Sequence, residues 1–105
     1  MRWPHVPLGF IARRRPTLPP KRVDANQPKI VAALRKAGCS VQHLHELGQG
    51  CPDLVVGYHG HNYLLEIKGP RGKLTPVQVW WHEEWRGQVA RVDTVDEALA
   101  VVGAI

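Results

Sequence analysis

The stretch Pro52-Asp53-Leu54-Val55-Val56-Gly57-Tyr58-His59-Gly60-His61-Asn62-Tyr63-Leu64-Leu65-Glu66-Ile67-Lys68 decides the fold. Two apolar runs, 54–58 and 63–68, flank His59-Gly60, where glycine supplies the positive φ that a two-residue primed turn demands. A hairpin turn there pairs Tyr58 with His61 and, counting outward, Asp53 with Glu66. This register places the two carboxylates opposite each other on one face, with Cβ atoms about 4.5–5.5 Å apart. A four-residue loop keeps the pairing; a three-residue loop destroys it.

Working outward, Ile30, Val31, Leu34 and Ala37 follow helical spacing, with Asn26 and Pro28 at the start and Gly38 at the end. The spacing predicts a helix over 27–37. Alternation over 41–46 predicts a short strand, which Gly48-Gln49-Gly50 ends. After Lys68 comes a flexible basic loop, Gly69-Pro70-Arg71-Gly72-Lys73-Leu74. Thr75-Pro76-Val77-Gln78 then reads as a helix start: threonine at the N-cap, proline at N1, and glutamine closing a capping box. Val77, Trp80, Trp81 and Trp85 are the expected buried stripe of that helix. A fourth strand follows over 89–92. Thr94 and Glu97 form a second capping box, opening a last helix with Ala98, Leu99 and Val102 on its inner face. The order α-β-β-β-α-β-α, without internal repeat, is that of a mixed α/β domain around a four-stranded sheet flanked by helices.

The chain has 105 residues, enough for one domain and not two. So short a chain buries only about 60–65% of its unfolded surface, which favours a partner subunit. Hydrophobic residues at 44% and charged residues at 22% fit a globular protein. No apolar run approaches the roughly 20 residues of a transmembrane helix. Cys39 and Cys51 are too few for a secreted disulfide scaffold. An arginine cluster behind the first apolar patch is the wrong order for a signal peptide. These readings point to a reducing cytoplasm.

Charge is uneven along the chain. Of 14 bases, six (Arg2, Arg13, Arg14, Arg15, Lys21 and Arg22) fall in residues 1–22, which hold no acid and five of the nine prolines. Residues 23–105 are close to neutral. The first segment reads as an extended basic arm, and two roles stand open for it. One is contact with phosphate backbones through Arg13, Arg14 and Arg15; the other is a solubilising tail.

The chemistry gathers on the central hairpin. Like charges facing each other in a ladder destabilise a sheet. A hard divalent cation reverses that penalty, because carboxylate oxygens converging from two strands are what Mg²⁺ or Mn²⁺ takes. Lys68, two residues past Glu66, points to the same face. Ile67 turns its side chain into the core, leaving its backbone carbonyl to face the cation. Two acids, a metal and an ammonium group suit hydrolysis of a phosphodiester.

Pro52-Asp53 followed by Glu66-Ile67-Lys68 resembles the PD-(D/E)XK nuclease superfamily. The wider string is similar to its VRR-Nuc branch, whose short phage-type members are single domains. It comprises Asp24-Ala25-Asn26 before a helix, Gly50-Cys51-Pro52-Asp53-Leu54, Leu65-Glu66-Ile67-Lys68 and Leu74-Thr75-Pro76, and the likeness spans residues 23–102. The resemblance implies a restriction-endonuclease-like core and a Mg²⁺- or Mn²⁺-dependent endonuclease. It also implies a homodimer acting on branched DNA such as Holliday junctions. By matching position, Asp53, Glu66 and the Ile67 carbonyl would bind metal. Lys68 would be catalytic base or charge stabiliser, and Gln78 a supporting residue. The chain departs from the pattern in the first turn of helix one, where a glutamate is usual and Gln27 and Lys29 stand here.

Other readings compete residue by residue. Gln78 is fully explained by its capping box. The tryptophans read as core, with one exposed indole left to stack a base. Cys39, His43, His45 and Cys51 offer zinc-type ligands at a spacing that fits no common zinc pattern. Arg71 and Lys73 are candidate phosphate contacts. No element is shaped to read base edges in a groove, so shape and backbone contacts would carry recognition. The alternative to a nuclease is a DNA-binding module of the same fold with a degenerate site.

Overall fold

The computed structural model describes residues 24–105, which form an α+β domain with one four-stranded mixed sheet and three helices. The basic arm, with Arg13, Arg14 and Arg15, lies outside the described residues.

Helix α1 spans Gln27–Lys36, with Pro28 in its first turn, and buries Ile30, Val31 and Leu34. Its C-terminal turn closes as Ala37 N–H donates to the Ala33 carbonyl, and Gly38 leaves with φ +100°. Strands β1 (Ser40–His43), β2 (Leu54–Tyr58) and β3 (His61–Ile67) form an antiparallel meander. Helix α2 (Pro76–Glu84) then crosses over to β4 (Val89–Val92), which pairs parallel with β3. Helix α3 spans Val95–Val102. The strand order is β1-β2-β3-β4, and among the described residues no helix is long and apolar enough to cross a membrane.

The hairpin has the expected register. His59 at φ +49° and Gly60 at φ +81° make the primed turn, Tyr58 pairs with His61, and Leu54 pairs with Leu65. Leu54, Val56, Leu65, Ile67 and Val92 therefore share one face, where they meet Ile30, Val31 and Leu34 of α1 and Ala98 and Val102 of α3. All of these side chains are buried, each contributing about 1.5–3 kcal/mol for a full-sized aliphatic group.

Three local expectations need correction. The strand expected over 41–46 stops at His43: Leu44 N–H still donates in register to the Asp53 carbonyl (2.7 Å), but the Leu44 carbonyl accepts Leu47 N–H (2.9 Å) as the chain turns into a 3₁₀ turn, His45–Leu47. The aromatic stripe of α2 is not core: Trp80 and Trp81 are half-buried, Trp85 is 46% exposed, and only Gln78 is buried on that helix. Helices α1 and α3 already cover the apolar face of the sheet, which leaves these indoles half outside. Trp81 and Trp85 stack on each other instead, with centroids 4.6 Å apart. The second capping box is half formed: Glu97 N–H donates to Thr94 Oγ1 (3.0 Å), but Glu97 Oε1 accepts from Asp93 N–H.

Candidate active site

At the end of β2 and β3 both predicted carboxylates are buried. The ladder proper ends at Leu54–Leu65, one residue short of the expected Asp53–Glu66 pair. Asp53 sits in the bend just before β2, and its side chain extends the pairing that the backbone gives up. Asp53 Oδ2 accepts the Ile67 N–H at 2.7 Å. Asp53 is 1% exposed and Glu66 0%.

Strand alternation explains the rest of the arrangement. Ile67 N–H points toward Asp53, whereas Lys68 N–H points the other way and donates to the Val92 carbonyl (3.0 Å). In an extended strand the N–H and C=O of one residue face the same edge, so the Ile67 carbonyl also looks toward the Asp53 side. The Lys68 ammonium stands 4.0 Å from Glu66 Oε2, with its side chain 14% exposed. Against these two buried acids stand Lys68 and, paired with Glu66 in the parallel ladder, Arg91. Two carboxylates and a carbonyl are the kind of donor set that a hard divalent cation takes.

The loop that delivers Asp53 is fixed from behind. Gly50 has φ +85°, and a Cβ there would lie 2.6 Å from Val77 Cγ1 and 2.7 Å from the Val77 carbonyl oxygen. Only glycine lets the first turn of α2 press this close to the Gly50–Asp53 loop. That turn is locked in turn by the Thr75–Gln78 capping box: Gln78 N–H donates to Thr75 Oγ1 (3.2 Å) and Thr75 N–H to Gln78 Oε1 (2.9 Å). Buried Gln78 is thus accounted for by its bonds to Thr75.

Arg91 was not singled out by sequence. Parallel pairing sets it beside Glu66, and its guanidinium donates to the carbonyls of Gly69 (3.2 Å) and Gly72 (2.7 Å). It holds the loop that carries exposed Arg71 and Lys73. The only signal was a lone base among the apolar residues of 89–92. Asn26 closes the same end of the sheet, its amide donating to the carbonyls of Lys68 (3.3 Å) and Asp93 (2.8 Å).

No protein-family model, no curated protein and no solved structure matches the chain.

Among the described residues no three His, Cys, Asp or Glu side chains converge as metal ligands, so the zinc reading of Cys39, His43, His45 and Cys51 finds no support. Burial pushes the Cys39 thiol pKa up, as befits a small core residue. The first turn of α1 holds no acid; Gln27, buried there, pairs its amide nitrogen with His43 Nδ1 at 3.2 Å.

Proposed function

We propose that this chain is a divalent-metal-dependent endonuclease that hydrolyses DNA phosphodiester bonds, with a restriction-endonuclease-like core of the PD-(D/E)XK, VRR-Nuc kind. The observation that carries the reading is the burial of Asp53 and Glu66 at one end of the hairpin, with Asp53 on the Ile67 N–H and Lys68 4.0 Å from Glu66.

Asp53, Glu66 and the Ile67 carbonyl would hold Mg²⁺ or Mn²⁺. When bound, such an ion polarises a phosphoryl oxygen and acidifies a water ligand. The residues of the chain do the remainder. Asp53, held by Ile67 N–H, keeps its carboxylate fixed as charge moves. The Lys68 ammonium orients the attacking water or balances charge growing on the phosphoryl oxygens. Arg71 and Lys73 meet flanking phosphates, and their loop is held in place by Arg91. Branched DNA is the proposed substrate and a homodimer the proposed assembly.

The second reading, a DNA-binding module without catalysis, is favoured by one observation: the first turn of α1 carries no acid. One experiment separates the two. Supercoiled plasmid and a four-way junction are incubated with excess protein in Mg²⁺, Mn²⁺ or EDTA. The nuclease reading expects cleavage with either metal, none in EDTA, and none from Lys68→Ala that still binds DNA. Intact DNA in all three conditions, with binding retained, overturns it in favour of the module.

A further inference from the structure

Between α1 and the β1 edge of the sheet lies an open cavity of about 350 Å³, a size in the range of small-ligand sites. Val31, Ala32 and Arg35 of α1 form one side, and His43 and His45 the other, together with buried Gln27. The His43–His45 wall is tied to the carboxylate site, because Leu44 N–H donates to the Asp53 carbonyl at 2.7 Å. The two imidazoles meet edge to face, with centroids 5.8 Å apart.

Two buried polar atoms on these lining residues have no hydrogen-bond partner: Gln27 Oε1 and His45 Nδ1. Such atoms are costly, and their chemistry restricts what can enter. An amide oxygen takes only a donor. An imidazole nitrogen takes a donor or an acceptor according to its tautomer. A phosphate offers acceptors alone and leaves the amide oxygen unanswered. The edge of a nucleobase carries donors and acceptors side by side. Its faces fit apolar walls and imidazole rings, and an attached phosphate fits the Arg35 guanidinium. The last torsions of glutamine and histidine are broad, so His45 turns its ring to a ligand, and Gln27 presents its oxygen by giving up its amide contact with His43 Nδ1 (3.2 Å).

We infer that this cavity receives one unpaired nucleotide of the DNA strand being cut. A paired base has its edge occupied and its faces stacked, so a duplex interior is excluded and a fork or branch is admitted. The inference rests on the nuclease reading and deepens it by naming the feature of DNA that is selected.

The test measures binding of the full chain in EDTA, where cleavage plays no part. Its probes are a labelled DNA fork with unpaired tails on both strands and a blunt duplex of the same paired sequence. Wild type is expected to prefer the fork by about tenfold or more, the gain of one stacked base. Ala32→Trp fills the cavity from an exposed helix position, and His45→Ala removes one wall; each should bring the fork-to-duplex ratio close to one. No fork preference, or a preference that both folded variants retain, overturns the inference. Cleavage assays fail independently: a cavity-dependent fork preference without cleavage refutes only the nuclease reading.

Discussion

Asp53 does the work of a strand carbonyl: its Oδ2 accepts the Ile67 N–H at 2.7 Å, one residue beyond the last backbone pair of β2 and β3. The carboxylate that would bind metal is therefore also the group that closes the hairpin end. Its position is set by β3 as well as by the loop that precedes it. Structure and chemistry are joined in one side chain, and they can be pulled apart.

Asp53→Asn keeps an oxygen for Ile67 N–H and removes the charge; Asp53→Ala removes both. The alanine variant should lose about 1–3 kcal/mol of stability, the cost of an orphaned buried donor, and the asparagine variant about 1 kcal/mol or less. Cleavage should fall by about 10²-fold or more in both. Denaturant unfolding and a single-turnover cleavage assay check the pair, and an asparagine variant that still cuts DNA would contradict the metal-binding role.

Gly50→Ala should damage the site from a distance. A Cβ there meets Val77 at 2.6 Å on a backbone at φ +85°. Left-handed backbone costs a non-glycine residue about 1–2 kcal/mol, and the overlap with Val77 adds about 1–3. The variant should lose more stability than Gly60→Ala, which has the same backbone sign but open space around it. Thermal melts of the two decide whether the contact with α2, and not the turn alone, fixes the loop.

Much of this arrangement was legible because one turn sets it. A two-residue loop at His59-Gly60 determines every pair on the hairpin from Tyr58–His61 to Leu54–Leu65, and side-chain parity then puts Glu66 and Lys68 on one face. What the sequence hid was non-local. β1 ends early where, after a last in-register bond from Leu44 to the Asp53 carbonyl, the chain turns into the 3₁₀ turn His45–Leu47. Helical spacing told which side of α2 holds the tryptophans, but not that α1 and α3 had already filled the apolar face. Arg91 gained its place only through parallel pairing after a crossover, which no local pattern encodes.

Arg91→Lys should loosen the basic loop without unfolding the sheet. One terminal guanidinium nitrogen reaches two carbonyls, Gly69 and Gly72, at a distance from the backbone that the shorter lysine side chain does not span in the same geometry. Limited proteolysis should show faster cutting over 69–74, and DNA affinity should drop as Arg71 and Lys73 lose their fixed positions. Unchanged proteolysis would show that the loop is held elsewhere.

Cys39 predicts how stability falls in alkali. Burial raises its thiol pKa above the ordinary value of 9.0, so the native state stays protonated where the unfolded chain ionises. Unfolding then releases a proton, and stability declines as pH rises past about 9. Cys39→Ala should flatten that decline in denaturant melts taken from pH 8 to 10, while an unaltered slope would assign it to other groups.

Buried Asp53 and Glu66 predict linkage between metal and folding, because a divalent cation that binds them only in the folded state stabilises that state. Stabilisation follows the ratio of ligand to dissociation constant and reaches about 2.7 kcal/mol at a hundredfold excess. For a domain this small that is a rise of about 10 °C or more in Tm. Mn²⁺ should therefore raise Tm in a concentration-dependent way. Glu66→Gln should lose the response to Mn²⁺. A wild-type Tm indifferent to Mn²⁺, or a variant that keeps the full rise, would remove the cation from the site.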